Sequence, residues 1–175
     1  RLTKLQIIYF ANSPFTYDNI AVDWEDANSD YAKQYENEEL SWSNLKDLTD
    51  VELYNCPNMT QLPDFLYDLP ELQSLNIACN RGISAAQLKA DWTRLADDED
   101  TGPKIQIFYM GYNNLEEFPA SASLQKMVKL GLLDCVHNKV RHLEAFGTNV
   151  KLTDLKLDYN QIEEILSLIH ISEPT

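Results

Sequence analysis

Positive charge is scarce in this chain. Fourteen lysines and arginines stand against twenty-eight aspartates and glutamates, a formal net charge of −14 at pH 7. Binding to a phosphate backbone needs a basic stripe that releases counterions, so no nucleic-acid partner is expected. The same balance favours a partner with basic groups. Cysteine is scarce too. Cys56, Cys79 and Cys135 cannot all pair with one another, and their spacing matches no zinc pattern. They are expected to be reduced and structural, with no metal and no cofactor implied. No apolar run is long enough to span a bilayer, which argues against membrane insertion. A charged start followed by an apolar core, the mark of a signal peptide, is also missing. The chain opens at Arg1 and Leu2 already inside a patterned segment, so a fragment of a longer protein is expected.

What the chain does have is a recurrent pattern. The stretch 152–165, LTDLKLDYNQIEEI, sets Leu152, Leu155, Leu157, Ile162 and Ile165 among polar residues, with Asn160 where the chain must turn. Alternation around Leu155 and Leu157 predicts a strand with one buried face. A single unit of this kind cannot bury its apolar side, so it requires neighbours. They are present: Ile105, Phe108, Met110 and Asn113; Leu130, Leu133, Cys135 and Asn138; Leu72, Leu75, Ile77 and Asn80; Leu48, Val51, Leu53 and Cys56. The first unit is degenerate, with Leu2, Leu5 and Ile7 read as buried and Phe10 in the turn position. Steps between turn positions Phe10, Cys56, Asn80, Asn113, Asn138 and Asn160 are then 46, 24, 33, 25 and 22 residues.

The two long steps are expected to hold helices. Trp24, Ala27, Tyr31 and Tyr35 fall at helical spacing in an acidic, aromatic insertion near 19–40. A second helix near 84–98 starts at a capping box, Ser84 with Gln87, and buries Leu88, Trp92 and Leu95. Four acids from Asp97 to Asp100 oppose the helix dipole, which predicts a mobile loop as far as Pro103. Asp97, Glu99, Thr101 and Gly102 resemble the start of an EF-hand loop, but Phe108 stands where the bidentate glutamate is required. From Ser167 the tail resembles the translation of a sequencing-adapter junction, so 166–175 is set apart from functional argument.

The motif LxxLxLxxNxL in the last three units, with fair matches in the second and third, resembles the leucine-rich repeat superfamily over residues 2–165. The phrase LPDFLYDLPELQSLNI resembles large bacterial members, many of them exported or surface-attached. That implies a bacterial surface location, with the cytoplasm as the alternative. The resemblance implies an α/β fold: a right-handed, horseshoe-like solenoid of about six coils in one domain, 1–165. A parallel sheet lines its concave side and helices and turns line its convex side. It also implies a non-enzymatic module that binds a protein or peptide on the concave face. Alternatives are a structural spacer, or a carbohydrate-binding segment, within a larger surface adhesin.

The register names the face. Gln6, Glu52, Asn76, Tyr109, Asp134 and Lys156 are expected to point outward between buried strand residues. Tyr54, Val136 and Asp158 form the next column, and Tyr9, Asn55, Cys79, Tyr112, His137 and Tyr159 the one after. Candidate partner-binding residues are Glu52, Tyr54, Tyr109, Tyr112, Asp134, His137, Lys156, Asp158 and Tyr159. Tyrosine offers large contact area with a polar tip, although tyrosines in one column can equally pack on each other. Cys56, Asn80, Asn113, Asn138 and Asn160 form a structural turn ladder that satisfies buried backbone groups. Catalytic residues are not expected. Cys135 and His137 lie two apart, but the register sends Cys135 to the core, away from a base and an activating environment.

Overall fold

The structure, a computed structural model, describes residues 4–14, 44–143, 146 and 151–165. The acidic insertion near 19–40 and the segment 166–175 lie outside the described residues. Within them, six three-residue strands form one parallel sheet: β1 (Ile7–Tyr9), β2 (Asp50–Glu52), β3 (Ser74–Asn76), β4 (Ile107–Tyr109), β5 (Leu132–Asp134) and, after a two-residue strand β6 (His142–Leu143), β7 (Asp154–Lys156). β6 pairs instead with β8 (Glu164–Ile165) in a separate two-stranded ribbon. Each central strand turns its middle residue inward. Val51, Leu75, Phe108 and Leu133 are buried, together with the residues three before and two after them. Ile8 and Leu155 are half-buried, and each of their strands has a sheet neighbour on one side alone among the described residues.

The first coil is in a different register from the one its sequence suggested. Ile8, not Ile7, pairs with Val51, and Tyr9 pairs with Glu52. Ile7 points out and is 44% exposed. Leu5 and Phe10 therefore take the inward places, and the turn position falls on Ser13 rather than Phe10. Hydrogen bonding explains the choice. Phe10 N–H donates to Glu52 O at 2.7 Å, as Leu53 N–H donates to Asn76 O one coil on.

The convex side is built from whatever each step allows. A 3-10 turn over Asp64–Asp68 buries Phe65, Leu66 and Tyr67. The longer insertion makes a true helix, α1 (Ala85–Asp97), with Leu88, Trp92, Leu95 and Ala96 buried, and a single turn follows later, α2 (Ser121–Leu124). The Ser84 hydroxyl caps α1 by accepting from Gln87 N–H at 3.2 Å. The return half of the box does not form, because the Gln87 side chain donates to Asp91 Oδ1 at 2.7 Å. The loop after α1, which its charge predicts to be mobile, is hydrogen-bonded in this structure. Asp98 Oδ1 accepts from the backbone N–H groups of Asp100 and Thr101, Thr101 is buried with its hydroxyl toward Tyr67 O and Leu69 O, and Lys126 pairs with Asp97 at 3.1 Å. Local backbone donors and a cation from the next coil offset the dipole.

Asp91 is a buried carboxylate, 6% exposed, that ties α1 to the preceding coil by accepting from Leu62 N–H at 2.9 Å. Burial pushes its pKa up, against the lowering effect of its hydrogen bonds and of Arg94. The folded state thus holds this proton at pH values where the unfolded chain has released it. Its contribution to stability falls as pH rises from the ordinary carboxylate range through the raised folded value. Asp91→Asn, which can still accept from Leu62, should flatten that fall in urea midpoints measured from about pH 4 to about pH 7. Asp91→Ala should cost about 1–3 kcal/mol at acidic pH, because Leu62 N–H is left unpaired, and less as pH rises.

Candidate partner-binding face

Parallel pairing puts one residue of each strand beside its equivalent on the next, about 4.8 Å away, so the outward face is a set of columns. Glu52, Asn76, Tyr109, Asp134 and Lys156 are registered partners on β2 to β5 and β7. Tyr9 heads this column, not the one to which the sequence pattern assigned it. Lys156 Nζ lies 3.6 Å from Asp134 Oδ2, and Asp134 Oδ1 accepts from Val136 N–H at 3.2 Å. Two of the candidates, Asp134 and Lys156, therefore engage each other.

A further column was missed from sequence. Ile7, Asp50, Ser74, Ile107, Leu132 and Asp154 start the six strands and share the outward face. Period-two alternation carries the signal: each stands directly before a buried strand centre. Asp50 and Asp154 are held alike, accepting from the hydroxyls of Thr49 at 2.6 Å and Thr153 at 2.8 Å.

Past the strands, Tyr54 and Asp158 occupy exposed positions, followed by a column with left-handed backbone. Asn12, Asn55, Cys79, Tyr112, His137 and Tyr159 all have φ between 51° and 66°. For residues other than glycine this costs about 1–2 kcal/mol each, offset here by continued interstrand bonding. Tyr112 N–H donates to Val136 O and His137 N–H to Asp158 O, both at 2.9 Å. The repeated bend lines up three rings. Tyr112 and His137 stack with centroids 4.2 Å apart, and His137 and Tyr159 with centroids 4.1 Å apart. Lateral packing is thus realised in this column, and both faces of the His137 ring are covered. The Cys79 side chain, by hydrogen bonding and by charge, holds the Tyr54 phenol above its ordinary pKa, with smaller contributions from desolvation, Tyr112 and Glu52.

Behind these columns runs the turn ladder. Asn80 Oδ1 accepts from Cys56 N–H and Asn113 Oδ1 from Asn80 N–H, at 2.7 and 2.6 Å. Asn138 Oδ1 and Asn160 Oδ1 accept from Leu115 N–H and Val140 N–H, each at 3.0 Å. The amide nitrogens share carbonyls: Asn80 and Asn113 both donate to Ile77 O, Asn113 and Asn138 to Met110 O, Asn138 and Asn160 to Cys135 O. Cys56 does the same work with sulfur. Its thiol donates to Phe10 O at 2.9 Å and receives the Ser13 backbone N–H, while burial pushes its pKa up. Cys135 is enclosed in the core, its thiol pushed well above the ordinary range by burial, whereas His137 lies in the outer stack. The two do not meet as nucleophile and base.

Stacked coils, a ladder of turn asparagines and one continuous parallel sheet of three-residue strands make this chain a leucine-rich repeat protein. No family model matches the chain. The solved structure of a leucine-rich repeat protein from Bacteroides eggerthii is similar to it over 94% of this chain, with 60% sequence identity and a TM-score of 0.88. Toll-like receptor 7 of Drosophila melanogaster is 31% identical over 107 residues, 60% of this chain. A plant peptide hormone receptor, RGFR1 in complex with RGF2, aligns at 16% identity with a TM-score of 0.37, too low to carry anything over. The chain spans 27% of the Bacteroides protein and 7% of the Drosophila one.

Proposed function

We propose that the concave sheet binds a protein or peptide with basic groups, as a non-enzymatic module of a longer bacterial protein that is exported or held at the cell surface. One observation carries this reading. Asp50, Glu52, Asp154 and Asp158 lie on the outward columns with no ion pair among the described residues, and Lys156, the column cation, is turned to Asp134. Charges arranged this way raise the encounter rate with a cationic partner and fix its orientation. Exposed tyrosines supply contact area beside them: Tyr9 is 67% and Tyr159 75% exposed. A sugar would need open ring faces, and in the stack of Tyr112, His137 and Tyr159 the central ring has both faces covered.

The test is a selection of random peptides displayed on phage, using the folded chain as bait. Binders should be lost from a variant with Tyr109, Tyr112, Asp134, Asp158 and Tyr159 replaced by alanine. Tyr109→Ala alone should weaken them about tenfold, in the range of an interface aromatic. Selected peptides that bind the fivefold variant with unchanged affinity would sink the concave-face reading. Cell fractionation with an antibody to this domain tests the location.

A further inference from the structure

The proposed face is uniform neither in charge nor in polarity, and the way it varies specifies a partner. In the column that starts the strands, Ile107 and Leu132 are registered neighbours and both half-buried, whereas Ile7, Asp50, Ser74 and Asp154 complete the column on β1, β2, β3 and β7. An apolar step two strands wide thus sits between carboxylates. Asp50 and Asp154 are four strand spacings apart, about 19 Å. The apolar step lies about 12 Å from the first and about 7 Å from the second. Glu52 stands beside Asp50 on β2 and Lys156 beside Asp154 on β7, so the apolar step is bounded by carboxylates on either side, more strongly at β2.

We infer that this surface takes an extended basic–apolar–basic segment of a partner protein, running across the strands with one aliphatic side chain on Ile107 and Leu132. An extended chain advances about 3.3 Å per residue. The cations therefore fall about four residues before and two residues after the apolar one. Charge complementarity sets this choice, because an acidic segment would meet unpaired carboxylates at both ends. Lys156 has a defined place in it. Nothing on the column but Asp134 faces its ammonium within ion-pair distance among the described residues, so Lys156 occupies the acid that a partner cation would otherwise use. The inference rests on the concave-face reading and adds the partner's chemistry and direction.

The probe is a fluorescein-labelled peptide of eight residues, serine and glycine with arginine second and eighth and leucine sixth, read by anisotropy at low salt. Binding should be about two- to fivefold tighter to Lys156→Met, which frees Asp134, and weaker by a similar factor to Asp154→Asn. Leu132→Thr should weaken it about three- to tenfold, with circular dichroism confirming that the half-buried substitution leaves the fold intact. Moving both arginines to one end of the peptide should abolish the preference. An affinity that is unchanged or reduced in Lys156→Met, or a rearranged peptide that binds equally well, overturns the inference. The phage selection separates the two ideas. Binders that need the concave residues but lack this spacing overturn the inference alone, and binders indifferent to those residues overturn both.

Discussion

Trp92→Ala is expected to lower the unfolding free energy by about 3–5 kcal/mol, the usual cost of removing a fully buried large aromatic. Trp92 is 0% exposed and joins three parts of the solenoid. Its ring meets Phe108 of β4 edge-on with centroids 5.7 Å apart and Phe118 at 5.0 Å, and its indole N–H donates to Met127 Sδ at 3.4 Å. Those partners lie in the coil after α1, on its strand, past its turn and on its return segment, so the cavity would not close by movement of one neighbour. Trp92→Phe should cost less, since it keeps an edge-to-face contact and removes the donor together with the extra ring. Urea unfolding of both variants, followed by circular dichroism, checks the order.

The second large effect concerns the ladder, where two asparagines that look alike in sequence should differ. Asn80→Ala leaves Cys56 N–H and Leu53 O without their partner. Each buried group left unpaired costs about 1–3 kcal/mol, so two such groups should make Asn80 about twice as costly as a single loss. Asn113→Ala removes as many bonds, yet Ile77 O keeps Asn80 and Met110 O keeps Asn138. Only Asn80 N–H is orphaned. The difference arises because Cys56, one coil before Asn80, donates to Phe10 O and has no second proton for Leu53 O. Equal destabilisation in the two alanine variants would show that the shared carbonyls do not compensate.

Much of this molecule was legible because the repeat is a local code. Leu155 and Leu157 with Asn160 specify strand, inward face and turn within a few residues, and the same spacing recurs with Phe108, Met110 and Asn113. The face followed from alternation alone: Glu52, Tyr109, Asp134 and Lys156 do share a column. Where the code weakens, local reading failed. Residues 5–10 alternate acceptably in two registers, and only pairing with β2 selects the one that buries Ile8 and exposes Ile7. The acids after α1 read as unfavourable until Thr101 is seen bonded to Tyr67 and Leu69 of the coil before it, and Asp97 paired with Lys126 further along the chain.

Sequence by itself determined the coil architecture, the buried aliphatic positions of the later coils and the acidity of the chain, since each depends on residues close together in the chain. Tertiary structure decided the first register, the stack of Tyr112, His137 and Tyr159, the pairing of Lys156 with Asp134, and the apolar step of Ile107 beside Leu132. Each of these joins residues that stand a whole coil apart in the chain and about one strand spacing apart in space. No window along the sequence holds both partners.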